Sequence, residues 1–219
     1  MMTTAPYGIA PGFLLIGGVL SFAYLIGFCW RGPGAIKTLV KTGAVAVPAL
    51  GVSLAGAPGW ALAGLWACVA GDFLLSRPGE AWLKSGIAAF ALGHIFYALA
   101  LGGGFDPQFG ADWIGWAIPL ALLLLGLSTE IWLIPHCGSL KGPVRFYVLL
   151  ILGMGGIAAQ LPIPRFPILA GALSFILSDL ILSVMLFVLS GGWFGRLAPF
   201  LIWFFYYVAQ VLLFMGFMG

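Results

Sequence analysis

Three ionisable side chains stand deep inside apolar runs: Asp72 in ACVAGDFLLS, His94 in AFALGHIFYAL and Asp179 in SFILSDLILS. In hydrocarbon such a group is costly unless it is paired or wetted, so each is a candidate for function. The two aspartates occupy matching frames, D-x-[LI]-L-S, 107 positions apart. Upstream of them, Ala63, Ala67 and Gly71 correspond to Ala170, Ser174 and Ser178. A small residue at every fourth position gives a helix face that a neighbour can approach closely. Two carboxylates in one poorly hydrated pocket hold unequal protonation, because burial favours the neutral form and like charges push their pKa values apart. One acid and one anion side by side suit general acid–base catalysis, and also a proton relay.

Further polar residues keep company with these three. Tyr97 follows His94 by three positions and shares its helix face. Tyr206, Tyr207 and Gln210 lie at three- and four-residue spacing in WFFYYVAQVLL. They are deeper than the interfacial belt where tyrosine usually sits, and a buried hydroxyl needs a partner. Lys37 and Lys41 open one apolar run, and Glu130 closes another. Each of these polar groups reads equally as a helix–helix hydrogen bond. No H-E-x-x-H, G-x-S-x-G or Walker pattern occurs, and Cys29, Cys68 and Cys137 form no C-x-x-C pair. Neither a metal nor a cofactor is expected.

The elements that must carry these residues follow from composition. The chain has 219 residues, of which 63% are hydrophobic and 7% charged, against about 25% charged in an ordinary soluble domain. That excludes a water-soluble globule, which lacks the polar surface to cover so large a core, and it excludes disorder. The net charge of +3 is spread over many loops, so there is no basic patch for nucleic acid. Glycine, proline and charge divide the sequence into eight expected spans: 11–30, 37–54, 58–76, 82–101, 112–135, 142–161, 166–190 and 197–218. The fold class is therefore all-α, a single polytopic transmembrane bundle covering 1–219. The N-terminus has no basic n-region, so the first helix is expected to remain in the membrane. Eight of the nine basic residues fall in odd-numbered loops, and Arg165 is the exception; Asp106 and Asp112 share its side. The positive-inside rule then puts the odd-numbered loops in the cytoplasm and both termini on the other side. Asp72 and Asp179 come out ~20 Å from the outer surface and His94 ~17 Å from the cytoplasmic one, at 1.5 Å per residue.

Taken together, K-x-L at Lys37–Leu39, GDFLL at Gly71–Leu75, F-x-x-G-H-x-x-Y at Phe90–Tyr97, SDLIL at Ser178–Leu182 and YY-x-x-Q at Tyr206–Gln210 resemble the YhhN-like lysoplasmalogenase family. The resemblance runs from span two to span eight; where the family often has Lys-Pro, this chain has Lys37-Thr38. It implies an eight-span protein, expected in the bacterial inner membrane, that hydrolyses the vinyl ether bond of a lysoplasmalogen to a fatty aldehyde and a glycerophospho-alcohol. Its partners are then a lysophospholipid substrate and membrane lipids, with no obligatory protein partner. A vinyl ether hydrolyses by protonation of its β-carbon, capture of the oxocarbenium ion by water, and collapse of the hemiacetal. The aspartate pair, meeting in a shared pocket, suits that sequence as two carboxylates suit a glycosidase. Asp179, in the more apolar setting, is expected to be the acid, and Asp72, nearer a basic loop, the anion that positions water. His94 orients that water or shuttles a proton. Tyr206, Tyr207 and Gln210 hydrogen-bond the ether or hemiacetal oxygen. Lys37, with Lys41 or Arg77, draws the phosphate to the cytoplasmic rim. Tyr97 and Glu130 are counted with the substrate-binding group. The alternative is a proton-coupled protein that binds or transports a lipid or small amphiphile, to which the parallel repeat of the aspartate frames lends support. A structural membrane protein, whose polar groups only fix helix packing, is the third reading.

Overall fold

The computed structural model describes residues 10–102, 113–161 and 166–218. Eight α-helices account for most of them: α1 (Ala10–Gly27), α2 (Ala35–Leu54), α3 (Gly59–Leu75), α4 (Glu80–Gly102), α5 (Trp113–Trp132), α6 (Lys141–Ala158), α7 (Phe166–Ser183) and α8 (Gly192–Met218). Among the described residues there is no strand. Six of the helices, α2 and α4 to α8, are long and apolar enough to cross a membrane; α1 and α3 are apolar but shorter. The outer surface is apolar, with Leu15 71%, Leu39 74% and Ile131 81% exposed. A face of that kind needs lipid rather than water against it, and the chain is an integral membrane protein.

Proline and glycine set the element ends as their chemistry requires. Pro11 and Pro167 stand in the first turns of α1 and α7, where a missing N–H costs nothing, and Pro58 caps α3. Pro48 and Pro119 lie inside α2 and α5. Gly79, at φ +109°, turns the chain from α3 into α4. Several boundaries differ from expectation: α1 and α6 stop three residues early, at Gly27 and Ala158, and α7 ends at Ser183 rather than 190, passing into the π turn Val184–Val188. The span expected to reach 135 stops at Trp132 and continues as short 3₁₀ turns, Ile134–His136 and Gly138–Leu140, because the residue before Pro135 is pushed out of α geometry. Helix α8 begins at Gly192 rather than 197 and takes Pro199 into its second turn. Asp106, Asp112 and Arg165, used in the charge tally, lie outside the described residues.

Two helix pairs pack at van der Waals limits. In α3/α4, the ring of Tyr97 lies where a Cβ on Gly64 would be, 2.5 Å away, and Phe90 does the same at Gly71, 2.6 Å away. In α7/α8, a Cβ on Gly171 would lie 3.1 Å from the Ala209 carbonyl oxygen, and Ser178 Oγ donates to the Ile202 carbonyl at 3.0 Å. Of the expected stripe, Gly71 and Ser178 are buried at these contacts, whereas Ala63, Ala67, Ala170 and Ser174 are only half-buried. Two turns earlier the closest approach runs one residue further round, at Gly64 and Gly171, where the neighbouring helix leaves no room for a Cβ.

These contacts reveal a repeat. Gly64, Gly71 and Asp72 on α3 correspond to Gly171, Ser178 and Asp179 on α7 at a constant spacing of 107, while Phe90, His94 and Tyr97 on α4 correspond to Ile202, Tyr206 and Ala209 on α8 at 112. The difference equals the five-residue π turn, Val184–Val188, that precedes α8. The outer helices are less alike. Helix α1 is clamped to α2, with Gly17 against Pro48 and Gly51 against Phe13. Helix α5 packs chiefly on α6 and the following 3₁₀ turn and leaves Leu120, Leu123, Leu124 and Leu127 exposed.

Candidate active site

The repeat builds two polar centres, each from three helices. In both, the aspartate comes from one helix of a half, a second group from the helix before it, and a third from the last helix of the other half. Asp72 on α3, 1% exposed, pairs with Lys41 Nζ of α2 at 3.0 Å and accepts the hydroxyl of Tyr206 on α8 at 2.5 Å. Asp179 on α7, 15% exposed, accepts the hydroxyl of Tyr147 on α6, and His94 Nε2 of α4 lies 3.7 Å from the same Oδ2. His94 Nε2 also lies 3.0 Å from the Tyr147 hydroxyl. Imidazole, phenol and carboxyl thus form an unbroken chain of exchangeable protons. His94 is fully buried and its Nδ1 has no partner among the described residues.

The two aspartates do not share a pocket, contrary to the sequence-based expectation. The ring of Phe175 stacks edge-on against His94, at 4.6 Å between centroids, and against Tyr206, at 5.4 Å. Phe90 adds a further edge contact to Tyr206 at 5.7 Å. Aromatic packing therefore separates the Asp72 centre from the Asp179 centre while holding them in fixed relation.

Two clefts reach the protein surface and meet at Tyr147, Val148, Asp179 and Ser183. The first lies between α5, α6 and α7 and is a narrow groove, about 370 Å³ when the open solvent at its mouth is counted. The second, about 490 Å³ on the same measure, lies between α4, α6, α7 and the π turn, with Leu75 of α3 at its edge. Asp179 lines both and Asp72 lines neither. Among the described residues no group of three or more His, Cys, Asp or Glu side chains is placed to hold a metal ion.

The other expected residues fall as follows. Tyr97 donates to Gln210 Oε1 at 3.0 Å, a buried link between α4 and α8 that is away from both clefts. Tyr207 and Gln210 border a small internal cavity beside Leu14 and Pro48, and the Tyr207 hydroxyl and Gln210 Nε2 have no partner among the described residues. Lys37 is not at the clefts: its ammonium donates to the carbonyls of Cys29 and Arg31, orphan acceptors just past the end of α1. Glu130 is not there either. It makes a bidentate pair with Arg145 across α5 and α6 on the exposed face, at 2.8 and 3.1 Å from Nε and 2.8 Å from Nη2. A charge so near a helix end lowers its energy by reaching out to a partner rather than in. Tyr147 escaped sequence reasoning: beside Arg145 and Phe146, it has the look of an interfacial aromatic. Lys41 was singled out for the phosphate rim, whereas its ammonium reaches Asp72 instead. The one signal for both was positional, since Lys41 and Tyr147 stand 106 apart, nearly the aspartate spacing.

No curated protein and no solved structure matches the chain significantly. A model of the YhhN family, by contrast, matches residues 34–217, from the turn before α2 almost to the end of α8. The match takes in Lys41, Asp72, His94, Tyr147, Asp179 and Tyr206, so both polar centres lie within it. On a match over most of its length, the chain belongs to the YhhN family.

Proposed function

We propose that this protein is an intramembrane hydrolase that cleaves the vinyl ether bond of a lysoplasmalogen or related lysolipid, giving a fatty aldehyde and a glycerophospho-alcohol. In this reading the bundle crosses the bacterial inner membrane eight times, with both termini on the non-cytoplasmic side and the lysine- and arginine-bearing connections in the cytoplasm. Membership of the YhhN family supports it. The observation that carries it is the placing of Asp179: one carboxyl, backed by Tyr147 and His94, at the meeting point of two clefts.

The chemistry then proceeds on this chain's own groups. Asp179, as the carboxylic acid, gives its proton to the β-carbon of the vinyl ether, whose π electrons form the new C–H bond. The positive charge left on the α-carbon and ether oxygen lies against the Asp179 carboxylate just formed. Water adds to the α-carbon and passes a proton back to Asp179, which restores the acid and leaves a hemiacetal. Proton transfer from the hemiacetal hydroxyl to the ether oxygen, again through Asp179, breaks the C–O bond and releases aldehyde and alcohol. Tyr147 and His94 hold the carboxyl and spread its proton along the hydrogen-bonded chain. Acid–base help of this kind is worth about 10²- to 10⁴-fold. Asp72, neutralised by Lys41 and bonded to Tyr206, acts at a distance by fixing α2, α3 and α8 around Phe175.

The test is aldehyde release by purified protein from a lysoplasmalogen, beside a saturated-ether lysolipid of the same chain length. Cleavage of the first alone supports the reading. Uptake of intact lysolipid into sealed vesicles without cleavage replaces it with binding or transport.

A further inference from the structure

The two clefts at Asp179 differ in direction. Helix α6 starts at the end of the bundle that carries Lys84, Lys141 and Arg145, and α7 runs towards that end. On α6 the first cleft is lined by Ile151 and Leu152 and the second by Val144. On α7 the first takes Ile176 and the second Leu182 and Leu186. Both clefts take Ser183 and the first also takes Leu180 and Leu133, but on both helices the first reaches further to the membrane-interior side of Asp179 and the second further to the basic side. Ten residues of helix, Ile176 to Leu186, separate their extremes by ~15 Å.

The first cleft also opens sideways. Helix α5, which forms its outer wall through Leu125 and Thr129, packs mainly on α6, and its outer face is exposed apolar surface. The corresponding helix of the first half, α1, is clamped to α2 by glycine contacts, and the aspartate of that half is sealed. One half of the repeat is closed and the other is open to the side, where lipid lies.

We propose that the cleft between α5, α6 and α7 binds the hydrocarbon chain of a single-chain amphiphile entering sideways from the bilayer, while the second cleft leads its polar part to the basic end of the bundle. This rests on the reading of Asp179 as the reacting acid and adds the substrate's pose: chain inward, head group outward, with the first chain atoms at the carboxyl. The lining fits that occupant. Apart from Thr129, Tyr147, Asp179 and Ser183, the first cleft is wholly aliphatic, and Lys141 stands one turn before Val144 in the second, at an end that also carries Lys84, paired with Glu80, and Arg145, paired with Glu130; a basic group there suits a phosphate.

Two measurements test this. Lysophosphatidylcholine carrying a diazirine near the end of its chain is photolysed with the wild-type protein, and the labelled peptides are mapped. Label on the segments holding Leu125, Ile151 and Ile176 is expected; label spread evenly over α1, α2 and α8 overturns the proposal. In parallel, Leu125→Trp narrows the inner end of the cleft. Its ratio of kcat/KM for long-chain over short-chain lysoplasmalogen is expected to fall ~30-fold, the worth of about two to three buried methylenes; an unchanged ratio overturns the assignment. Label on the expected segments in a protein that releases no aldehyde keeps the chain site and removes the hydrolase. Aldehyde release with label elsewhere does the reverse.

Discussion

At the scale of single residues, the two aspartates have the same frame and different circumstances. Asp72 has a lysine at 3.0 Å and Asp179 has a phenol and an imidazole. Lys41→Met leaves a buried carboxylate without its counter-charge, and the loss of one partner of a buried pair typically costs about 3–5 kcal/mol. A marked fall in the unfolding midpoint in detergent is expected, with most of it recovered in Lys41→Met/Asp72→Asn, where no charge is left to compensate. If the double variant is no more stable than the single one, the ion pair is not what holds that centre. Tyr147→Phe removes the hydroxyl between His94 and Asp179. It is expected to lower kcat for aldehyde release by at least ~10-fold, within the range for one member of an acid–base relay; a kcat equal to wild type removes Tyr147 from the chemistry. The aspartates and His94 were legible in the sequence because a titratable group in an apolar run has few reasons to be there. Tyr147 was not legible, because a tyrosine in the second turn of a helix, close to arginine, has an ordinary interfacial explanation. Glu130 misled because it closes an apolar run, but Arg145 across the helix interface satisfies it on the exposed face.

At the scale of elements, the bundle is organised by close approaches that side-chain size decides. A Cβ at Gly71 would lie 2.6 Å from the Phe90 ring, whereas one at Gly153, in α6, would meet nothing within 4 Å. Gly71→Ala is therefore expected to lower stability by about 1–3 kcal/mol through overpacking. Gly153→Ala is expected to be neutral or stabilising by up to about 1 kcal/mol, since alanine is the better helix former. Thermal unfolding of the two variants side by side checks the pair, and equal midpoints would refute the proposed α3/α4 register. The order of the eight helices was legible in sequence, most ends to within about three residues and the α7/α8 junction less closely, since apolar runs, prolines and glycines punctuate the chain. The repeat was legible only in part. A single spacing of 107 sets His94 opposite Leu201, and only the five-residue π turn at Val184–Val188 shifts the partner to Tyr206. An insertion between two helices breaks a constant offset without breaking the packing on either side of it.

At the scale of the whole molecule, two four-helix halves exchange one side chain each: Tyr206 reaches Asp72, and His94 reaches towards Asp179. The exchange ties the halves together at the level of the polar centres, and it places the open centre ~6 Å, one helical turn, inside the basic end of α7. A cysteine-accessibility scan in intact cells is expected to show a residue substituted at Gly79 labelled only from the cytoplasm, and one at Gly56 only from outside. Labelling of both from the same face would remove the eight-span arrangement. The account rests most heavily on Asp179 as the group that moves the proton. The direct measurement is the rate of aldehyde release from a lysoplasmalogen by wild-type and Asp179→Asn protein of matched unfolding midpoint. A wild-type rate reduced at least ~10²-fold in the variant is the expected result; a variant within a few-fold of wild type would contradict it.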